Sequence, residues 1–91
     1  TEEEEEEEEE EVRLAIRIFP NPTQNKELTI EMKETGFYTV RIFDLLGKQV
    51  DQFFFDGIDY PFIGDHLSTG IYILEIQYEE EILFREKLMI Q

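Results

Sequence analysis

His66 is the single histidine of this 91-residue chain and Ser68 its single serine, and they stand two positions apart. A serine nucleophile needs an imidazole within hydrogen-bond reach and a third group that orients the base. No third group can be identified beside this pair, so the reading is a polar surface loop. Carboxylate pairs could work as acid and base at a glycosidic bond. An acidic chain produces such pairs by chance, however, and none here sits in a recognisable motif. Asp56, Asp59 and Asp65 could offer oxygen ligands to calcium from neighbouring loops. Their spacing is not that of an EF-hand, and aspartate in this setting is more simply a turn former. With no cysteine and one histidine there is no zinc set. The inventory predicts no catalytic residue, no metal and no cofactor.

A second set of residues shapes backbone instead of doing chemistry. Pro20 and Pro22 flank Asn21 and remove two backbone donors, which marks a stiff exit from a sheet edge. Asp44 can cap amides and Gly47 can take positive φ, so Asp44 to Lys48 reads as a tight turn. Gly70 stands directly before the most apolar stretch of the chain.

Strands must position these turns. Val12, Leu14, Ile16 and Ile18 alternate with Arg13, Ala15 and Arg17, which is period two. Leu28, Ile30 and Met32 follow, then a turn at Glu34 to Gly36, then Tyr38, Val40 and Ile42, a pattern that predicts a β-hairpin. Gln49 to Phe55 is the next strand. Its three consecutive phenylalanines cannot all face inward, which calls for a bulge or an outward aromatic. Asp56 to Asp59 reads as a turn, Tyr60 to Ile63 as a short strand and Gly64 to Gly70 as a loop. Ile71 to Tyr78, apolar on both faces, reads as a central strand. In the last strand Ile82, Phe84, Leu88 and Ile90 share a face with Glu86, which predicts a bulge near Glu86. The fold class expected is all-β: an immunoglobulin-like antiparallel β-sandwich of about seven short strands, without the Cys and Trp of antibody domains.

Composition narrows the partners. Of 23 acidic groups ten lie in Glu2 to Glu11, and the remaining 13 against 8 bases leave a balance of -5 instead of -15. Residues 1–11 are therefore expected to be an acidic, disordered linker, an artificial extension or an acidic interaction segment, and residues 12–91 to form one domain. A chain this short buries only about 60% of its unfolded surface, so there is room for one core. The bases are scattered, which disfavours nucleic acid. No apolar run nears the length of about 20 residues that spans a bilayer, and the N-terminus lacks the pattern of a signal peptide.

Four phrases occur in fixed order: Ile18-Phe-Pro-Asn-Pro-Thr23, Val40-Arg-Ile-Phe-Asp-Leu-Leu-Gly-Lys48, Leu67-Ser-Thr-Gly-Ile-Tyr-Ile-Leu74 and Lys87-Leu-Met-Ile90. Each alone is ordinary turn or strand chemistry. Together they are spread along residues 18–90, and in that order the chain resembles the C-terminal sorting domain (Por secretion tail, type A) of proteins exported by the type IX secretion system of Bacteroidota. Departures are the acidic turn at Glu79 to Glu81 and the Glu run.

The resemblance implies a non-enzymatic secretion signal. In that family the tail is recognised by the type IX translocon and its outer-membrane substrate-recognition proteins, and it carries an upstream cargo of the same precursor across the outer membrane. In many members a surface sortase then removes the tail. It implies localisation by export, through the periplasm to the cell surface or the medium, and places recognition on the final strand, here Lys87, Leu88, Met89 and Ile90. Leu88 and Ile90 are expected to fill the core. Lys87, Met89 and the backbone of a terminal edge strand are expected to make contact.

Two other classes compete. An immunoglobulin-like adhesive or carbohydrate-binding module at the cell surface would present a solvent-facing aromatic platform built from Phe43, Phe53 or Tyr60. A small acid-rich enzyme would need a pocket with converging carboxylates.

Overall fold

The computed structural model describes residues 16–91, and the acidic run and Val12 to Ala15, the start of the first expected strand, lie outside the described residues. Five strands follow in order: β1 (Arg17–Phe19), β2 (Glu27–Asp44), β3 (Gln49–Ile63), β4 (Gly70–Tyr78) and β5 (Glu81–Ile90). Every strand pairing is antiparallel. The described residues contain no helix, so none is long and apolar enough to cross a membrane.

The all-β class is as expected, but the strand count is five and not seven. Two pairs of expected strands are each one continuous, bent strand. The hairpin at Glu34 to Gly36 does not form: β2 runs through it and pairs along its length with β3, Glu27 to Ile63 at one end and Phe43 to Gln49 at the other. The expected turn at Asp56 to Asp59 likewise lies inside β3.

Apolar parity explains both. In β2 the buried residues Leu28, Ile30, Met32, Tyr38, Val40 and Ile42 are all even, so one strand keeps them on one face. In β3 Phe55 is buried with Phe53 partly buried on the odd parity, whereas Phe62 is buried with Tyr60 partly buried on the even one. That switch is absorbed where the register slips between Glu31 and Gly36 of β2, opposite Ile58 and next to the Gly36–Gly57 pair. Gly57 has φ of 144°, a conformation open to glycine.

The slip also lets the sheet curl. Phe53 stacks on Tyr60 and Phe62 at 5.0 and 5.2 Å, so the two halves of β3 face each other across the core. The first half of β2 pairs with β1 on its second edge and the second half pairs with β4, which carries β5. β4 is thus central, as its two-faced apolarity predicts. Inside the curl lie Ile30, Val40, Ile42, Leu74, Ile76 and Leu88, all at 0% exposure. Tyr38 closes one end of this core. Its hydroxyl donates to the carbonyl of Glu34 at 2.6 Å, and burial, with Glu34 and Tyr78 nearby, raises its pKa above the ordinary tyrosine value, so it stays a donor.

Phe54 is the outward aromatic among the three phenylalanines, stacked on exposed Phe37 at 6.0 Å. The bulge of the last strand sits at Leu83 and not near Glu86: Ile82 pairs with Gln77 and Phe84 with Ile76, while Glu86 stays in register opposite Leu74. Glu86 is exposed, so its place on the apolar parity leaves no conflict for a bulge to relieve.

Candidate functional site

Strand register brings the four phrases to one end of the molecule. Asp44 pairs with Tyr72, Gly70 pairs with Ile90, and Thr23 bridges Ile90 in parallel. The Lys26 carbonyl accepts from Gly64, which holds the Gly64 to Gly70 loop at the same end.

The first phrase clamps the last. The Asn21 side chain stands in for a strand residue: its Nδ2 donates to the Lys87 carbonyl at 2.7 Å and its Oδ1 accepts from the Met89 amide at 3.0 Å. Thr23 continues the pairing, donating its amide to the Met89 carbonyl and accepting from the Gln91 amide, each at 2.9 Å. Thr23 is wholly buried, and its hydroxyl donates to the Glu27 carbonyl at 2.8 Å. Pro20 and Pro22, each following a cis peptide bond, have no amide N–H to compete for these acceptors.

This arrangement corrects one expectation. The outer backbone of β5 from Lys87 to Gln91 is not a vacant edge, because Asn21 and Thr23 occupy its Lys87 carbonyl, both Met89 groups and the Gln91 amide. A strand-adding partner would have to displace the clamp. What β5 presents at this end is side chains: Lys87 is exposed and Met89 half-buried, while Leu88 and Ile90 face the core as expected.

Asn21→Ala is expected to leave the Met89 amide and the Lys87 carbonyl without partners. A loss of about 1–2 kcal/mol in denaturant unfolding should follow, with faster amide hydrogen exchange at Met89 than at Leu88. Unchanged exchange at Met89 would show that the clamp does not hold β5.

The second phrase forms the turn between β2 and β3. Asp44 Oδ1 accepts from the amides of Leu46 and Lys48 at 2.9 Å each, and the Asp44 amide donates to the Lys48 carbonyl at 2.9 Å. Gly47 takes φ of 86°, where a Cβ would meet backbone strain but no neighbour within 4 Å. In the third phrase Leu67 is buried, and the Tyr72 hydroxyl donates to the Ser68 carbonyl at 2.7 Å.

The chemistry-bearing residues go elsewhere. His66 Nε2 lies 2.7 Å from Asp51 Oδ2, and Ser68 Oγ lies 3.4 Å from the Tyr72 hydroxyl. Imidazole and serine hydroxyl thus have separate partners. Among the described residues no group of three or more histidines and carboxylates could hold a metal ion. Phe53 and Tyr60 pack into the core edge and Phe43 is half-buried, so those three make no solvent-facing platform.

Sequence reasoning passed over Glu75, buried at 4% exposure on the outward parity of β4. Its carboxylate meets Arg85 at 3.0 Å and Arg41 at 3.4 Å. An arginine on each neighbouring strand was the available signal.

Compared with known proteins, residues 17–91 match the family model described as the secretion system C-terminal sorting domain. No curated protein matches the chain.

Proposed function

Because the chain belongs to the family of secretion system C-terminal sorting domains, we propose that the end where its four phrases meet is the surface by which the type IX machinery reads it. The domain is a sorting signal for type IX secretion, a role that implies export across the outer membrane and a cargo to be exported. The family is not a class of enzymes. Residues 12–91 are the unit we assign to sorting, with residues 1–11 as an acidic lead to it.

The observation that carries this reading is the Asn21 clamp. It makes the first and last phrases one object, since the amide of Met89 and the carbonyl of Lys87 are held by a residue more than sixty positions earlier. Leu88 and Ile90 anchor β5 from the inside, and Lys87 and Met89 offer a cation and a polarizable apolar side chain outward. The translocon's outer-membrane substrate-recognition proteins are the proposed partners, with transit through the periplasm and delivery to the surface or medium. Removal by a surface sortase would fall upstream of the folded unit. For the architecture we propose an immunoglobulin-like sandwich. The curl that brings Phe53 onto Tyr60 and Phe62 supports it, as does the parallel contact of Thr23 with Ile90.

The test fuses the whole chain to the C-terminus of a periplasm-directed fluorescent protein in a Bacteroidota host. Reporter should reach the surface or medium only where the type IX translocon works. Replacing Lys87 and Met89 together by Ala should trap reporter in the periplasm while shifting stability by no more than about 1 kcal/mol. Export at the parental level would remove those side chains from the contact.

A further inference from the structure

The turn after β2 carries the most exposed large apolar side chain among the described residues: Leu46 is 95% exposed, and Leu45 beside it 64%. Solvent is a poor place for two adjacent leucines, and the fold does not call for them. The turn is made by Asp44 and Gly47, whose hydrogen bonds involve the amides of residues 44, 46, 47 and 48 but neither leucine side chain.

The same bonds make the tip rigid. Both Leu46 and Lys48 amides are tied to one carboxylate oxygen, and the chain closes with a further backbone pair. A tip fixed in this way loses little conformational freedom on binding. It is convex, so it is no pocket for a small molecule, and its shape fits a concave apolar site on something larger.

Its place in the fold connects it to the reading above. Asp44 stands beside Tyr72 of β4, Gly70 beside Ile90 of β5, and Asn21 against Lys87 and Met89. The leucines project from the end that the sorting phrases share.

We infer that Leu45 and Leu46 form a recognition knob that enters an apolar pocket on a protein of the outer-membrane export machinery. This rests on the sorting role proposed above and names two contact residues outside the final strand. A protein pocket fits better than a bilayer surface because the charges around this end do not form a cationic rim. Lys26, Lys48 and Lys87 are matched by Glu27, Asp44, Asp51 and Asp65, whereas interfacial insertion into anionic lipid draws on an excess of Lys and Arg.

The experiment compares export of the full-chain reporter fusion carrying Leu45→Ser, Leu46→Ser, both, or Leu46→Met. Both leucines are exposed, so the denaturation midpoints should stay at the parental value. The double serine variant should fall at least about tenfold in exported fraction, each single variant less, and Leu46→Met should keep export because the knob stays apolar. Parental export of the double variant would overturn the inference and leave the sorting role standing. A parental fusion exported equally without the translocon would overturn the sorting role, and the knob with it. Co-sedimentation with vesicles of phosphatidylethanolamine and phosphatidylglycerol provides the remaining arm. Binding of the parental chain that is lost in the double variant would replace the protein pocket with a lipid surface.

Discussion

Leu88→Ala should lower stability by about 3 kcal/mol, whereas Met89→Ala one position later should cost no more than about 1 kcal/mol. Leu88 has no exposed surface and sits opposite Tyr72 in the sheet, so truncation removes buried methyl groups and leaves a cavity that a tightly packed core closes only in part. Met89 is half-buried on the opposite parity. In a domain of this size the Leu88 change corresponds to a fall in Tm of roughly 15 °C, and the denaturant midpoint should drop with its slope unchanged. Export should fail in both variants, for different reasons. The Leu88 variant fails because the folded tail is scarce, and lowering the growth temperature should restore part of its export. If Met89 makes the contact proposed above, its variant is folded but poorly bound, and cooling should not restore it. A Leu88 variant with a parental midpoint would mean that β5 is not seated in the core, and the clamp of Asn21 on its outer edge would then need another explanation.

How much of this was legible in the sequence depended on the range over which each feature is encoded. Period-two alternation is local, and it located the strand segments of β2 to β5 correctly. Whether two segments join as a hairpin or as one bent strand is decided by partners far away. β2 keeps its buried residues on even positions throughout, and β3 changes parity at Gly57 and Ile58, so the pair can stay in contact only by slipping register. Gly36 and the Asp56-Gly57 pair look like turn signals when each is read alone. The bulge lies at Leu83 and not at Glu86, because a glutamate on an apolar parity signals a conflict that its exposure removes.

The candidate site divides in the same way. Asp44 and Gly47 act within five residues, and their turn was readable. Asn21 acts on Lys87 and Met89, and no local pattern tells a clamp from an ordinary residue between two prolines. Exposure of Leu45 and Leu46 was equally hidden. Two leucines inside a turn phrase carry no sign of pointing away from the core until the turn's own hydrogen bonds have fixed their direction.

The second large effect is expected at Glu75. Replacing Arg41 and Arg85 together by Met should destabilise the domain by about 3–5 kcal/mol, and adding Glu75→Met should recover most of that loss. The carboxylate is held on the outer face of β4 at 4% exposure, with Arg85 on β5 and Arg41 on β2 reaching it from either side. Removing both cations leaves a charge that has lost its water without gaining a counter-ion, and that cost exceeds the net value of the pairs themselves. The two arginines are unequal. Arg85 brings both Nε and Nη2 to the carboxylate, at 3.1 and 3.0 Å, and Arg41 meets it with one nitrogen at 3.4 Å while giving its shorter bond, 2.6 Å, to Gln77. Arg85→Met should therefore cost more than Arg41→Met, though its 62% exposed side chain keeps the single effect within about 1–2 kcal/mol. Because Glu75 pairs with Arg41 and Arg85 in one cross-strand row, the ladder ties β2, β4 and β5 together on the face away from the core. The triple Met variant would show what the ladder adds. Stability at or above the parental value would mean that it contributes registry and not strength, and stability as low as the double variant would mean that packing of the arginine stems, and not charge, is what the row supplies.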